Sequence, residues 1–131
     1  PRLEAKAVSV TLDAGALIAF ERRDRLMATI VARALERKLQ LAVPAGVVGQ
    51  VWRDGRRQAE LARLLGSRAV EIEALDDDRA RAAGQLCGVT GTRDVIDASV
   101  VLCARRRGHG IVTSDPDDLR RLDSRVHLTR V

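Results

Sequence analysis

Apolar positions recur along this chain in two rhythms, short continuous runs and longer helical stripes. Residues 7–12, Ala-Val-Ser-Val-Thr-Leu, form a run ending at Asp13 and predict a buried strand. A short helix is expected from Gly15 to Glu21. Residues 25–39 carry Leu26, Met27, Ile30, Val31, Ala34, Leu35 and Leu39 at helical spacing. Leu41-Ala42-Val43 reads as a second strand, and Pro44 opens a helix to Trp52, as Pro does in a first turn. Asp54-Gly55 breaks that helix, and residues 57–65 form another, stopped by Gly66. From Val70 to Leu75 the residues Val70, Ile72 and Ala74 alternate against Glu71 and Glu73, a third strand. Residues 77–87 are helical and end at Gly88, and a polar loop covers 88–93. Asp94 caps a long helix to Arg107, closed by Gly108. Ile111-Val112-Thr113 is a strand, Asp115-Pro116 starts a helix to Leu122, and Val126 to Leu128 adds an edge strand.

The order is β-α-α-β-α-α-β-α-α-β-α-β. Such alternation predicts an α/β fold with a mostly parallel sheet of four or five strands and helices on both faces. With 131 residues and neither repeats nor a linker, the whole chain, 1–131, reads as a single domain. No apolar run approaches the roughly 18 residues of a membrane helix, and no signal peptide is expected at the N-terminus. Cys87 and Cys103 follow no CxxC pattern and lie in apolar helical stretches, which suits reduced thiols in a cytoplasmic protein. His109 and His127 share no metal-ligand spacing.

Charge adds a direction. The net charge is +5, from 23 Lys and Arg against 18 Asp and Glu, and Lys occurs only at 6 and 38. Arg forks suit phosphate contacts, although a genome favouring Arg codons explains the same count. Phe20 and Trp52 are the only aromatics, too few for a base-stacking platform. A nucleic-acid partner would therefore be held by its backbone.

In open parallel sheets, ligands bind beyond the carboxyl ends of the strands. Asp13 ends the first strand, Asp115 follows Thr113 at the end of a later one, and Asp94 and Asp97 open the long helix between them. Singly, each reads as a helix cap. Together they form a carboxylate cluster of the kind that suits a hard divalent cation, Mg²⁺ or Mn²⁺, and phosphodiester chemistry.

Four segments in this order resemble the PIN domain, and closely the VapC-type ribonuclease toxins of toxin–antitoxin pairs. They are Leu12-Asp13-Ala-Gly-Ala-Leu-Ile-Ala, Val43-Pro44-Ala45 with Val51-Trp52-Arg53, Asp94-Val-Ile-Asp97-Ala98, and Val112-Thr113-Ser114-Asp115-Pro-Asp-Asp-Leu. The resemblance covers nearly the whole chain. It implies a PIN-like, three-layer α/β/α sandwich and metal-dependent RNA cleavage. Asp13, Asp97 and Asp115 match the acids that hold Mg²⁺ or Mn²⁺, with Asp94 as an auxiliary. Thr113 matches a hydroxyl residue that orients a carboxylate or a metal-bound water, and Asp117 a variable position. A VapB-type antitoxin and a homodimer are implied as well, with residues 25–65 the expected antitoxin contact. Some of Arg22, Arg23, Arg53, Arg56, Arg57 and Arg93 are expected on phosphates.

One position departs from the pattern. Gln50 stands where the family usually has a Glu, and Glu21 is poorly placed to replace it. Gln50 is expected to reach the metal through water. The same departure leaves open a catalytically weakened PIN-like module that binds RNA or a protein. Receiver domains and haloacid-dehalogenase-like phosphatases share the architecture but need a Lys near a later strand end, and Lys6 and Lys38 are misplaced for that. The phosphatases also need a second Asp where this chain has Gly15.

Overall fold

A computed structural model describes residues 8–131 of the chain. Lys6, and Ala7 of the predicted first strand, lie outside the described residues. The elements are β1 (Val10–Leu12), α1 (Ala14–Glu21), α2 (Arg25–Arg37), β2 (Leu41–Pro44), α3 (Ala45–Val51), α4 (Ala59–Leu65), β3 (Val70–Glu73), α5 (Asp77–Thr90), α6 (Val95–Arg107), β4 (Gly110–Thr113), α7 (Pro116–Leu122) and β5 (Leu128–Arg130). Their order is the one the sequence predicts. The five strands form a single sheet in the order β3-β2-β1-β4-β5, and every pairing is parallel.

The chain builds outward from β1 through β2 to β3, then returns across to place β4 on the other side of β1. This reversal makes the carboxyl ends of β1 and β4 the switch point where a crevice must open. Paired strands share a face, so Thr11, Ala42 and Ile111 look the same way. Thr11 Oγ1 lies 3.9 Å from Cys103 Sγ, which identifies that face as the one covered by α6. Asp13, two residues beyond Thr11, points to the same side.

The helix α6 is buried around most of its surface through Ala98, Ser99, Val100, Val101, Cys103 and Ala104. Small residues let it lie close to the sheet, with α5 and α7 packed beside it. On the opposite face Leu12, Val43 and Val112 join Leu17 of α1, Met27 and Val31 of α2 and Leu61 of α4 in the core. Both cysteines are buried and unbridged.

Several boundaries differ from expectation. The helix α5 runs through Gly88 to Thr90, and Gly91, at φ 68°, caps it by donating to the Cys87 carbonyl. Gly88 is a tolerated helix residue, whereas Gly91 takes the left-handed conformation that glycine adopts without strain. The last strand is Leu128–Arg130, not 126–128, because Asp123 closes a turn that uses the intervening residues. The strand β3 stops at Glu73. Its alternation also buries the acid: Glu73 is 7% exposed, while Ile72 is 45% exposed.

Candidate functional site

Asp13 follows β1 directly and is 8% exposed. One of its oxygens caps α1, accepting the Ala16 N–H at 2.9 Å. The Thr113 hydroxyl donates to the same carboxylate. That hydroxyl also accepts the Asp115 N–H at 2.9 Å, so a single buried side chain ties the ends of β1 and β4 together. Burial outweighs these hydrogen bonds and holds the Asp13 carboxyl above its usual range, with the Asp115 charge adding to it.

Gly15 is what lets the two strand ends approach. A Cβ there would fall 2.9 Å from Ser114 Cβ and 3.0 Å from Ser114 N, inside normal contact distance. The same crowding rules out an Asp at this position, and with it the phosphatase arrangement.

The start of α6 supplies the next acids. Asp94 is its cap, with Oδ1 accepting the N–H groups of Ile96 and Asp97 at 3.0 and 2.9 Å. Asp97, one turn on, caps nothing. Its pKa is pushed up to about 7, first by burial and then by the charges of Asp94, Asp13, Asp118 and Asp115. Asp115 begins α7 without a capping hydrogen bond from its side chain. Asp118, one turn later, shares a hydrogen bond with Asp115, which raises the Asp118 pKa.

The structure therefore brings Asp13, Asp94, Asp97, Asp115 and Thr113 to one crevice, and adds Asp118. Asp117 and Asp118 are both exposed and pair with Arg120 and Arg121 at 3.6 Å, but only Asp118 lines the crevice cavity and bonds to Asp115. The i, i+3 spacing of Asp115 and Asp118, which stacks them on one helix face, was the available signal for Asp118. Gln50 is exposed on α3. Glu21 accepts from Gln58 Nε2 at 3.2 Å, at the far end of α1.

None of Asp13, Asp94, Asp97 and Asp115 has an Arg or Lys ion-pair partner among the described residues. The donors are all oxygen, the kind a hard divalent cation takes. As placed, no three of the described His, Cys, Asp and Glu residues are gathered closely enough to hold an ion. A cavity of about 500 Å³ opens beside them, walled by Asp94, Asp97, Asp118, Thr92, Arg93 and Arg121.

The PIN domain family model matches residues 10–124, from the first residue of β1 to just past α7. The chain belongs to the PIN domain family. Solved PIN-like structures share its fold. VapC20 of Mycobacterium tuberculosis, described as a sarcin-ricin loop cleaving toxin, is 17% identical, with TM-score 0.67 over 94% of this chain and 100% of that one. VapBC2 of Rickettsia felis, bound to a DNA fragment from its promoter, is 14% identical, with TM-score 0.67 over 95% and 99%. A toxin–antitoxin complex from Klebsiella pneumoniae is 19% identical, with TM-score 0.63 over 84% and 89%. No curated protein sequence matches the chain.

Proposed function

We propose that this PIN domain is a divalent-cation-dependent endoribonuclease and the toxin of a toxin–antitoxin pair. The observation that carries the reading is the set of acids at the switch point. In a protein of net charge +5, Asp13, Asp97 and Asp115 converge there with no basic partner among the described residues. Such a cluster is stabilised by an external cation, here Mg²⁺ or Mn²⁺. A divalent cation supplies positive charge to phosphoryl oxygens and makes a water acidic near neutral pH. Asp13, Asp97 and Asp115 are its holders and Asp94 an auxiliary, while Thr113 fixes the orientation of Asp13. Gln50 joins through water. RNA is the substrate, as the description of the VapC20 neighbour suggests.

An antitoxin partner is supported by the toxin–antitoxin complexes among the structural neighbours. Within residues 25–65, Leu35 and Leu64 join Val31 and Phe20 around an apolar cleft of about 210 Å³ between α2 and α4, and we place the antitoxin contact there. We also expect a homodimer and a cytoplasmic location. No helix among the described residues is long and apolar enough to cross a membrane.

A weakened, RNA-binding PIN module is the second reading. It is favoured by Gln50, which stands where the family usually has a Glu. Incubation of the purified chain with RNA and Mg²⁺ or Mn²⁺ decides between them. The nuclease reading expects cation-dependent cleavage abolished by Asp13→Asn and by Asp97→Asn. Cation-dependent binding without cleavage supports the second reading, and cleavage surviving both substitutions defeats the carboxylate mechanism.

A further inference from the structure

About half of the described arginines are already engaged. Arg23 pairs with Glu60, Arg57 with Asp54, and Arg53 donates to the carbonyls of Gly49 and Trp52. Arg22 and Arg93 are different. Both are exposed, and neither has a carboxylate partner among the described residues. Each stands on the wall of a cavity next to the acids, on opposite sides of them. Arg93 belongs to the cavity of about 500 Å³ shared with Asp97 and Asp118. Arg22 belongs to a second cavity, of about 420 Å³, walled by Gly15, Ser114 and Asp24, whose carboxylate is engaged in capping α2 through the Met27 N–H. Ser114 directly precedes Asp115 and Gly15 lies two residues past Asp13, so this cavity borders the acids from the α1 side, while the first borders them from the start of α6 and α7. Each cavity lies within the range of small-ligand pockets, roughly 300–1,000 Å³.

We infer that single-stranded RNA crosses the acid cluster from one cavity into the other, with Arg93 and Arg22 each holding a phosphate on its own side of the scissile bond. The inference rests on the nuclease reading. Arg22 lies nine residues beyond Asp13, about 13 Å along the helix axis, so its long side chain serves a phosphate near the cut and not the cut phosphate itself. On this path a single strand is expected to bind in preference to a duplex. Scarce aromatics agree: Phe20 packs against the core, and Trp52, exposed beside Gly55, lines neither cavity, which leaves phosphate contacts as the grip.

The test uses the full chain carrying Asp115→Asn, a fluorescein-labelled single-stranded RNA of mixed sequence, and anisotropy over a salt series. Arg22→Ala and Arg93→Ala should each weaken binding several-fold. Each should also flatten the slope of log K against log salt by about 0.7, and the double variant by about 1.4. Arg→Lys should restore the slope at either position. Arg68→Ala, at an exposed arginine that lines neither cavity, should change nothing. With Asp115 restored, both Ala variants should raise KM for cleavage more than they lower kcat. Unchanged affinity and slope in both Ala variants, with the parent binding normally, overturns the inference and leaves the nuclease reading intact. Equal binding of a blunt RNA duplex with the same arginine dependence overturns it too. A wild-type chain that neither binds nor cuts RNA removes both.

Discussion

Of the five aspartates at the crevice, four were read from the sequence, and their carboxylates have different occupations. Asp13 and Asp94 each cap a helix with one oxygen, whereas Asp97 and Asp115 cap nothing. The cap reading that fits every acid in the sequence thus holds for two of them and fails for Asp97 and Asp115. For Asp97 the consequence is a pKa near 7, against 3.8 for an ordinary Asp. The folded state then binds more protons than the unfolded one between about pH 4 and 7, so stability falls as pH rises through that window. Asp97→Asn should raise Tm by several degrees at pH 8 and leave it nearly unchanged at pH 4. Mg²⁺ should stabilise the wild type at pH 8 and have much less effect on the variant. A flat Tm difference from pH 4 to 8 in thermal melts would show that Asp97 is not strained by its neighbours. Gln50 is the other residue with a specific expectation. Gln50→Glu should tighten Mn²⁺ binding about tenfold, the scale of an outer-shell contribution, as measured by calorimetry. Equal affinity in the two proteins would remove Gln50 from the site.

At the scale of elements, the site depends on how closely α1 can enter beneath the turn after β4. Gly15 sets that distance. Gly15→Ala should cost about 2 kcal/mol of stability by overpacking. It should also lower cleavage beyond what the loss of folded protein explains, because Asp13 moves away from Thr113 and Asp115. Ser114→Gly in the same chain removes the obstructing side chain and should recover most of both losses; urea melts and initial rates give the two readouts. The order of elements was legible because alternating apolar runs and helical stripes are punctuated by Pro44, Gly66 and Gly108. The end of α5 was less so, since Gly88 and Gly91 carry the same letter and only the backbone conformation separates a helix residue from a cap. Asp117 and Asp118 posed a similar choice. Both open α7, and which of them faces Asp115 is fixed by the way that helix docks.

Across the whole molecule, the net charge of +5 averages over two sites of opposite design. One is the crevice, where Asp13, Asp94, Asp97 and Asp115 gather without basic partners among the described residues and only Asp118 pairs with an arginine, Arg121. The other lies at the far end of α6, where Glu73 is buried among basic groups. Arg106 Nη2 reaches Glu73 at 2.6 Å and Arg107 Nη2 at 3.5 Å, while Arg107 Nη1 also binds Glu71 at 2.8 Å and Gln40 at 2.9 Å. Nothing in the local pattern of β3 announces this, because the partners come from a helix distant in sequence. The helix that presents Asp94 and Asp97 at one end is thereby anchored at the other to the edge strand. Its three C-terminal arginines also complement the helix dipole. The anchor and the crevice lie at opposite ends of α6, so their contributions should separate. Glu73→Ala leaves Arg106 and Arg107 facing an apolar gap. Because both remain partly exposed, the loss should be about 2 kcal/mol, below the range for fully buried pairs. That corresponds to a fall of roughly 1 M in the urea midpoint with an unchanged slope. Cleavage per folded molecule at low temperature should stay near the wild-type value. A large loss of specific activity in fully folded Glu73→Ala protein would mean that the anchor also sets the position of Asp97, making α6 a rigid lever between the two charged sites.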